Sequence, residues 1–356
     1  MIILFFAVLV VIAVVLQRFT ASKSIEKLDV SIEISNALTE PDEAFDICLS
    51  FANLGRWFIP YLKYTVLVPN EMETNVAHGG IASGLRDQRY FTGTTWLLPR
   101  QKLTKKIEVT MPKRGRYIFS SMRVYGGDFL GINEEGKTLE CMREVVVYPN
   151  AAPRAEIDAV FGGFLGEMSV NRFIMEDPVL TLGYRDYTGS EPLKSISWKQ
   201  SARMGSLMVK KYDYTLEPTV AVLMNCDTLD EDREELLERC FRLCRTVCQE
   251  LEDRGIKYSF RTNVLTAGAL TNMEFFSEGL GRAHFCGIME CLGRAMYMCR
   301  YSCARLLEKL ERSGEGTSGV IFITPDSGAG AAEARRTVER MGGTILVLSA
   351  KEAELC

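Results

Sequence analysis

Between Asp177 and Pro218 the chain sets Arg185, Lys194, Lys199, Arg203, Lys210 and Lys211 among Asp186, Glu191 and Asp213, with Trp198 and several tyrosines between them. Opposite charges interleaved around a tryptophan can do one of two things. They can form ion pairs that lock a junction between folded modules, with Ile196 and Trp198 alternating inward and the Lys and Ser residues outward. They can also present a surface to another protein, because Trp, Tyr and Arg dominate interface hot spots; Tyr184, Tyr187, Trp198 and Arg203 are the residues of that kind.

Other reactive residue types point to packing rather than chemistry. Cys240, Cys244 and Cys248 recur every four residues, as do Cys299 and Cys303. A zinc site needs convergent ligands, typically through a Cys-x-x-Cys knuckle, and none is present, so thiols at helical spacing on apolar stripes read as small core hydrophobes. The two histidines, His78 and His284, lack the surroundings of a catalytic triad. The glycine clusters FGGFLGEMS and PDSGAGAAEARR lack the Lys-Ser/Thr ending of a phosphate loop, and the second reads as a turn and helix cap. The sequence nominates no catalytic residue, no cofactor site and no small-molecule substrate, and the chain is expected not to be an enzyme.

The positioning elements follow from the pattern. A chain of 356 residues suggests about two domains. Its 47% hydrophobic and 25% charged residues are those of a folded globular protein, and a net charge of -4 argues against a nucleic-acid binder. The uncharged run MIILFFAVLVVIAVVL, followed by Arg18, Lys23 and Lys27, predicts a transmembrane anchor over residues 1–21. Positive charge on the C-terminal flank places the soluble domains in the cytoplasm, and an odd number of cysteines, 11, suits reduced thiols there. The expected localisation is thus single-pass in the cell membrane. From residue 25 to 150, short alternating runs such as VSIEIS, FDICLSF and KIEVTM predict an antiparallel β-sandwich. Residues 151–217 form a linker carrying the charged segment. From 218 to 356 apolar strands alternate with helices, expected over Asp230–Arg254, His284–Arg312 and Ala329–Arg340, which argues for a mostly parallel sheet covered by helices.

Arg185, Tyr187, Ile196, Trp198, Lys199, Ser201, Ala202 and Arg203 resemble, in order and spacing, the signature of the bacterial family called domain of unknown function 58: Arg-x-Tyr, Gly-Asp, Arg-x-x-x-Trp, then Ala-Arg. Ser190, Glu191 and Lys194 stand where that pattern has Gly, Asp and Arg. Arg114, Gly115 and Tyr117, with Asp128 and Gly131, echo a second pattern of the family, with Phe129 in place of a proline. The resemblance implies that the last domain is a doubly wound von Willebrand factor A-like fold, giving an α+β multidomain chain of transmembrane helix, sandwich and α/β domain. Such domains often hold Mg²⁺ through Asp-x-Ser-x-Ser after the first strand. Here that loop reads Asn225-Cys226-Asp227-Thr228-Leu229, so Asp227 and Thr228 are weak metal candidates and helix capping is the favoured role. The resemblance also implies a partner, a MoxR-type AAA+ ATPase. The expected function is a membrane-anchored, non-enzymatic adaptor for assembling or maturing other complexes, with Arg185, Tyr187, Glu191, Lys194, Trp198, Lys199 and Arg203 at a partner-binding surface or domain junction. The competing readings are a cell-envelope enzyme and a metal-dependent adhesin.

Overall fold

The computed structural model describes residues 25–74, 81–82, 87–127, 134–153, 155–172, 181–189, 193–212, 219–269, 271–313 and 319–352. The chain divides into two compact units, residues 1–150 with 292–294, and residues 151–291 with 295–356.

The first unit is a β-sandwich. Its strands are β1 (Leu28–Ile34), β2 (Leu38–Thr39), β3 (Phe45–Asn53), β4 (Ile59–Pro69), β5 (Glu73–Thr74), β6 (Ile81–Ala82), β7 (Gln88–Leu97), β8 (Lys102–Thr110), β9 (Gly115–Gly127) and β10 (Glu134–Val147). One sheet runs β1-β3-β8-β5 and the other β2-β10-β9-β4-β7-β6. Period-two alternation sends Phe45, Ile47, Leu49 and Phe51 of β3 into one core with Leu62, Tyr64 and Val66 of β4 and Phe119, Met122 and Val124 of β9. The Asn53 side chain closes the turn after β3: its amide donates to the carbonyls of Trp57 and Leu98, and its oxygen accepts from the Gly55 N–H. In β7, Gly93 lies directly opposite Tyr64, whose ring and phenol oxygen occupy the space a Cβ would need.

The second unit begins with α1 (Ala155–Arg172), followed by β11 (Thr181–Asp186), a 3-10 turn (Leu193–Ser195), α2 (Trp198–Met204) and β12 (Met208–Tyr212). Then come β13 (Thr219–Met224), α3 (Arg233–Asp253), β14 (Lys257–Thr262), β15 (Val264–Thr266), β16 (Phe275–Gly279), α4 (Arg282–Arg294), β17 (Ala295–Cys299), α5 (Cys303–Ser313), β18 (Gly319–Thr324), α6 (Ala329–Met341) and β19 (Thr344–Ser349). The five-stranded sheet has the order β16-β14-β13-β18-β19. Its last four strands are mutually parallel, and β16 pairs antiparallel at the edge. Ala221, Leu223, Val320 and Phe322 point to one face, into a core with Leu306 and Leu310 of α5 and Ala334 and Val338 of α6. The intervening residues face the other way, where Phe164 and Met168 of α1 pack over Gly319 and α3 lies along the sheet.

Three expectations need correction. The chain is mostly β-structure, with nineteen strands and six α-helices among the described residues, so the composite of transmembrane helix, sandwich and doubly wound von Willebrand factor A-like domain does not describe it. The second unit holds a mixed sheet and two separate ribbons, β11–β12 and β15–β17. Second, the single helix expected over His284–Arg312 is two helices with a strand between them. Met296, Cys299 and Cys303 happen to keep helical spacing, but Val264 pairs with Cys299 and Thr266 with Ala295, and this pairing overrides the local pattern. Third, the expected single-pass anchoring in the cell membrane has no described element behind it: no described helix is long and apolar enough to cross a bilayer, and residues 1–21 lie outside the described residues.

Candidate partner-binding surface

The described part of the charged segment folds as a two-stranded ribbon with a short helix in the connection between its strands. β11 and β12 pair antiparallel, with Arg185 opposite Val209 and Tyr184 opposite Lys210, and Ile196 bridges to Val209. The Ser197 N–H donates to the Met208 carbonyl at 2.8 Å, and the Tyr187 N–H to the Leu207 carbonyl at 2.8 Å. Ser201 locks the helix to the strand, since its hydroxyl accepts from the Met208 N–H at 2.8 Å and donates to the Ser197 carbonyl at 2.9 Å. Gly205 ends α2 in the left-handed region at φ 72°, where a side chain would strain the backbone.

This scaffold divides the signature residues into two groups. Ile196 and Ser197 are buried and Ser201 holds the frame together. Trp198 does not alternate inward with Ile196 as a strand pattern predicts: it opens a helix, the side-chain period changes from two to 3.6, and the residue is 66% exposed. Arg185, Lys194, Lys199 and Arg203 are exposed, Tyr187 is half-buried, and Lys199 and Arg203 stand one turn apart on α2. Leu193 (69%) and Met204 (67%) add exposed apolar surface, and Tyr184 and Leu207 are also exposed. Glu191, His78, Asp128 and Gly131 lie outside the described residues.

The metal candidates sit at the carboxyl ends of the parallel strands, beside the point where the chain crosses from one side of β13 to the other; open α/β sheets place ligands at such points. Here the crevice is closed by side-chain amides. Asn225 Oδ1 accepts from Asn263 Nδ2 at 2.9 Å and from the Asp227 N–H at 3.1 Å, while its amide reaches Thr324 Oγ1 at 3.3 Å. Asn263 Oδ1 accepts from the Cys226 N–H at 2.7 Å, and its amide also donates to the Tyr301 carbonyl at 3.0 Å. Asp227 is spent as a remote cap: one carboxylate oxygen accepts from the Cys303 N–H at the start of α5, and the other faces the Cys299 thiol. Thr228 bonds Asp230, which pairs with Lys351 at 2.7 Å. Of the oxygens at this loop, Asn225 Oδ1 and one Asp227 carboxylate oxygen are committed to N–H groups.

Sequence reasoning missed Asn225 and Asn263 as a pair. Their signal is positional, since each directly follows one of two paired parallel strands and so lands at the same sheet edge. Of the grouped cysteines, Cys240, Cys244, Cys248 and Cys303 are buried, whereas Cys299 lies on β17 and is exposed. Burial pushes the Cys303 thiol up to about 12, which makes it a poor nucleophile at neutral pH.

No family model matches the chain. A curated relative, the uncharacterized protein YeaD of Bacillus subtilis (strain 168), is 25% identical over 133 residues, which cover 35% of this chain and 32% of YeaD. The chain therefore spans about a third of that relative's length. Similar solved structures include a CARDB domain from Pyrococcus furiosus (17% identity, TM-score 0.23, 35% of this chain and 97% of that one). A cohesin module from a Clostridium perfringens family 33 glycoside hydrolase is comparable (13%, 0.23, 34% and 96%). The bacterial hydrophobin BslA also appears (13%, 0.21, 34% and 95%). Similarity at this level carries no functional information.

Proposed function

We propose that this protein is a non-enzymatic adaptor of the domain of unknown function 58 family that recruits a protein partner through the ribbon and helix of residues 181–212, and that the partner is a MoxR-type AAA+ ATPase. The observation that supports this reading is the outward placement of Trp198, Tyr184, Lys199 and Arg203 on a scaffold pinned by Ser197 and Ser201. An exposed tryptophan beside cationic side chains, held by a frame that orders before binding, is the composition of an interface anchor. The family's signature then combines two physical requirements, a frame and the groups displayed on it. The ATPase assignment comes from the family resemblance.

Capture of the purified full chain by a MoxR-type AAA+ ATPase from the same genome tests the proposal. Trp198→Ala with Arg203→Ala is expected to weaken binding by about 30-fold, the effect of removing about 2 kcal/mol of hot-spot energy. Capture by the double variant at undiminished affinity overturns the assignment of this surface, and no capture of the native chain overturns the partner.

A further inference from the structure

The second unit carries a recess of about 400 Å³ whose lining includes Arg261, Glu274, Phe275, Tyr301, Lys309 and Arg312. Three cations face one carboxylate. That carboxylate is already neutralised, because Glu274 accepts from Lys309 Nζ at 3.0 Å and from Arg300. The cations rest on aromatic walls: the Arg261 guanidinium lies 4.3 Å above the Phe275 ring, and Lys309 Nζ lies 3.9 Å from the centre of Tyr301. Arg312 pairs with Glu308 at the surface, both side chains largely exposed, so exchanging that partner for a ligand carboxylate costs little.

Phe275, in the wall of the recess, is also the first residue of β16. This strand ends the five-stranded sheet: it pairs with β14 on one side and with no strand on the other among the described residues. A sheet edge offers backbone groups to an extended chain, and the recess beside it offers positive charge and aromatic surface. We propose that the recess and the β16 edge together bind an acidic peptide in extended conformation, with the peptide backbone along β16 and a Glu or Asp side chain set against Arg312 at the rim of the recess. An extended chain spreads single charges along the strand, whereas a compact polyanion would concentrate its charge against Glu274. This site is independent of the 181–212 surface.

The probe is a fluorescein-labelled decapeptide of alternating Glu and Val, titrated by anisotropy with the full chain, beside a Lys and Val peptide of the same length. The acidic peptide is expected to bind at low salt and weaken as salt rises to about 0.3 M, and the basic one not to bind. Arg312→Glu, at an exposed position, is expected to weaken the acidic peptide at least about tenfold, the loss of one charge-assisted hydrogen bond. Methylating alternate amides of the peptide in one of its two registers is expected to abolish binding, while Trp198→Ala leaves it unchanged. Equal binding of the two peptides, unchanged affinity in Arg312→Glu, tolerance of both methylated registers, or displacement of the peptide by equimolar pyrophosphate would each overturn the proposal.

Discussion

Replacing Asn263 by alanine tests whether the carboxyl edge of the parallel strands is held shut by its amides. Asn263 is fully buried, and its removal strands two groups: the buried Cys226 N–H, bonded at 2.7 Å, and the partly buried Tyr301 carbonyl, bonded at 3.0 Å. Asn225 Oδ1 keeps the Asp227 N–H, so it does not add to the loss. A stranded buried donor costs about 1–3 kcal/mol, and a carbonyl that water can reach costs less, which puts Asn263→Ala at about 2–4 kcal/mol. Asn263→Asp is a sharper version. It keeps an acceptor for Cys226 but turns oxygens toward Asn225 Oδ1 and the Tyr301 carbonyl, and it buries a charge, so its cost should be no smaller. Hydrogen exchange read by mass spectrometry on peptides spanning β13 and β14 separates this local loss from any change in the sandwich. Protection unchanged in Asn263→Ala, or a cost below about 0.5 kcal/mol in urea unfolding, would refute the reasoning.

Three further outcomes follow from particular contacts. Burial holds the His284 imidazole below its ordinary value of 6.5, against upward pulls from the Tyr258 backbone and Glu252, and its Nε2 is buried with no hydrogen-bond partner among the described residues. The unfolded chain therefore takes up this proton first, stability is complete above pH 6.5 and is lost as pH falls below it, and His284→Phe should flatten that loss in thermal melts between about pH 7 and 5. Gly93→Val should displace the Tyr64 ring and destabilise the sandwich by about 1–3 kcal/mol, measured by chemical denaturation, whereas Thr94→Val beside it, at an exposed position, should be nearly neutral. N-ethylmaleimide labelling of the native chain, read by mass spectrometry, should leave Cys240, Cys244, Cys248, Cys291 and Cys303 unmodified and reach the exposed Cys299.

What the sequence disclosed depended on whether local pattern and tertiary context agreed. The sandwich strands were legible because one face of each is buried, so FDICLSF and KIEVTM alternate as the structure does. The span from His284 to Arg312 was not, because a methionine and cysteine stripe satisfied a helical period while partner strand β15 drew its middle into a ribbon. The candidate surface was legible in composition but not in orientation. Charges around Trp198 suited a buried lock and an open surface equally, and only the placement of Ser197 at the start of a helix turns the ring outward. The Asn225–Asn263 closure joins residues 38 apart in sequence, so no local motif announces it.

The two surfaces carry different burdens on the fold, and this bears on how the protein can work. The ribbon at 181–212 is held largely by its own backbone pairing and by Ser201, so charge-preserving exchanges on its outer side, such as a lysine at position 194, leave the frame untouched. The recess beside β16 is built from long-range contacts, with Arg261 from β14, Phe275 from β16 and Lys309 from α5, so its geometry depends on the whole unit being folded. A protein with one locally framed surface and one globally framed surface can bind two partners whose responses to destabilisation differ. Loss of the Asn225–Asn263 network should loosen the peptide site, which shares β14 and the segment around Tyr301 with it, while leaving the Trp198 surface competent. Measuring both binding reactions on Asn263→Ala would separate the two surfaces: equal weakening of both would mean that they belong to one cooperative unit, against the reading of a self-supporting ribbon.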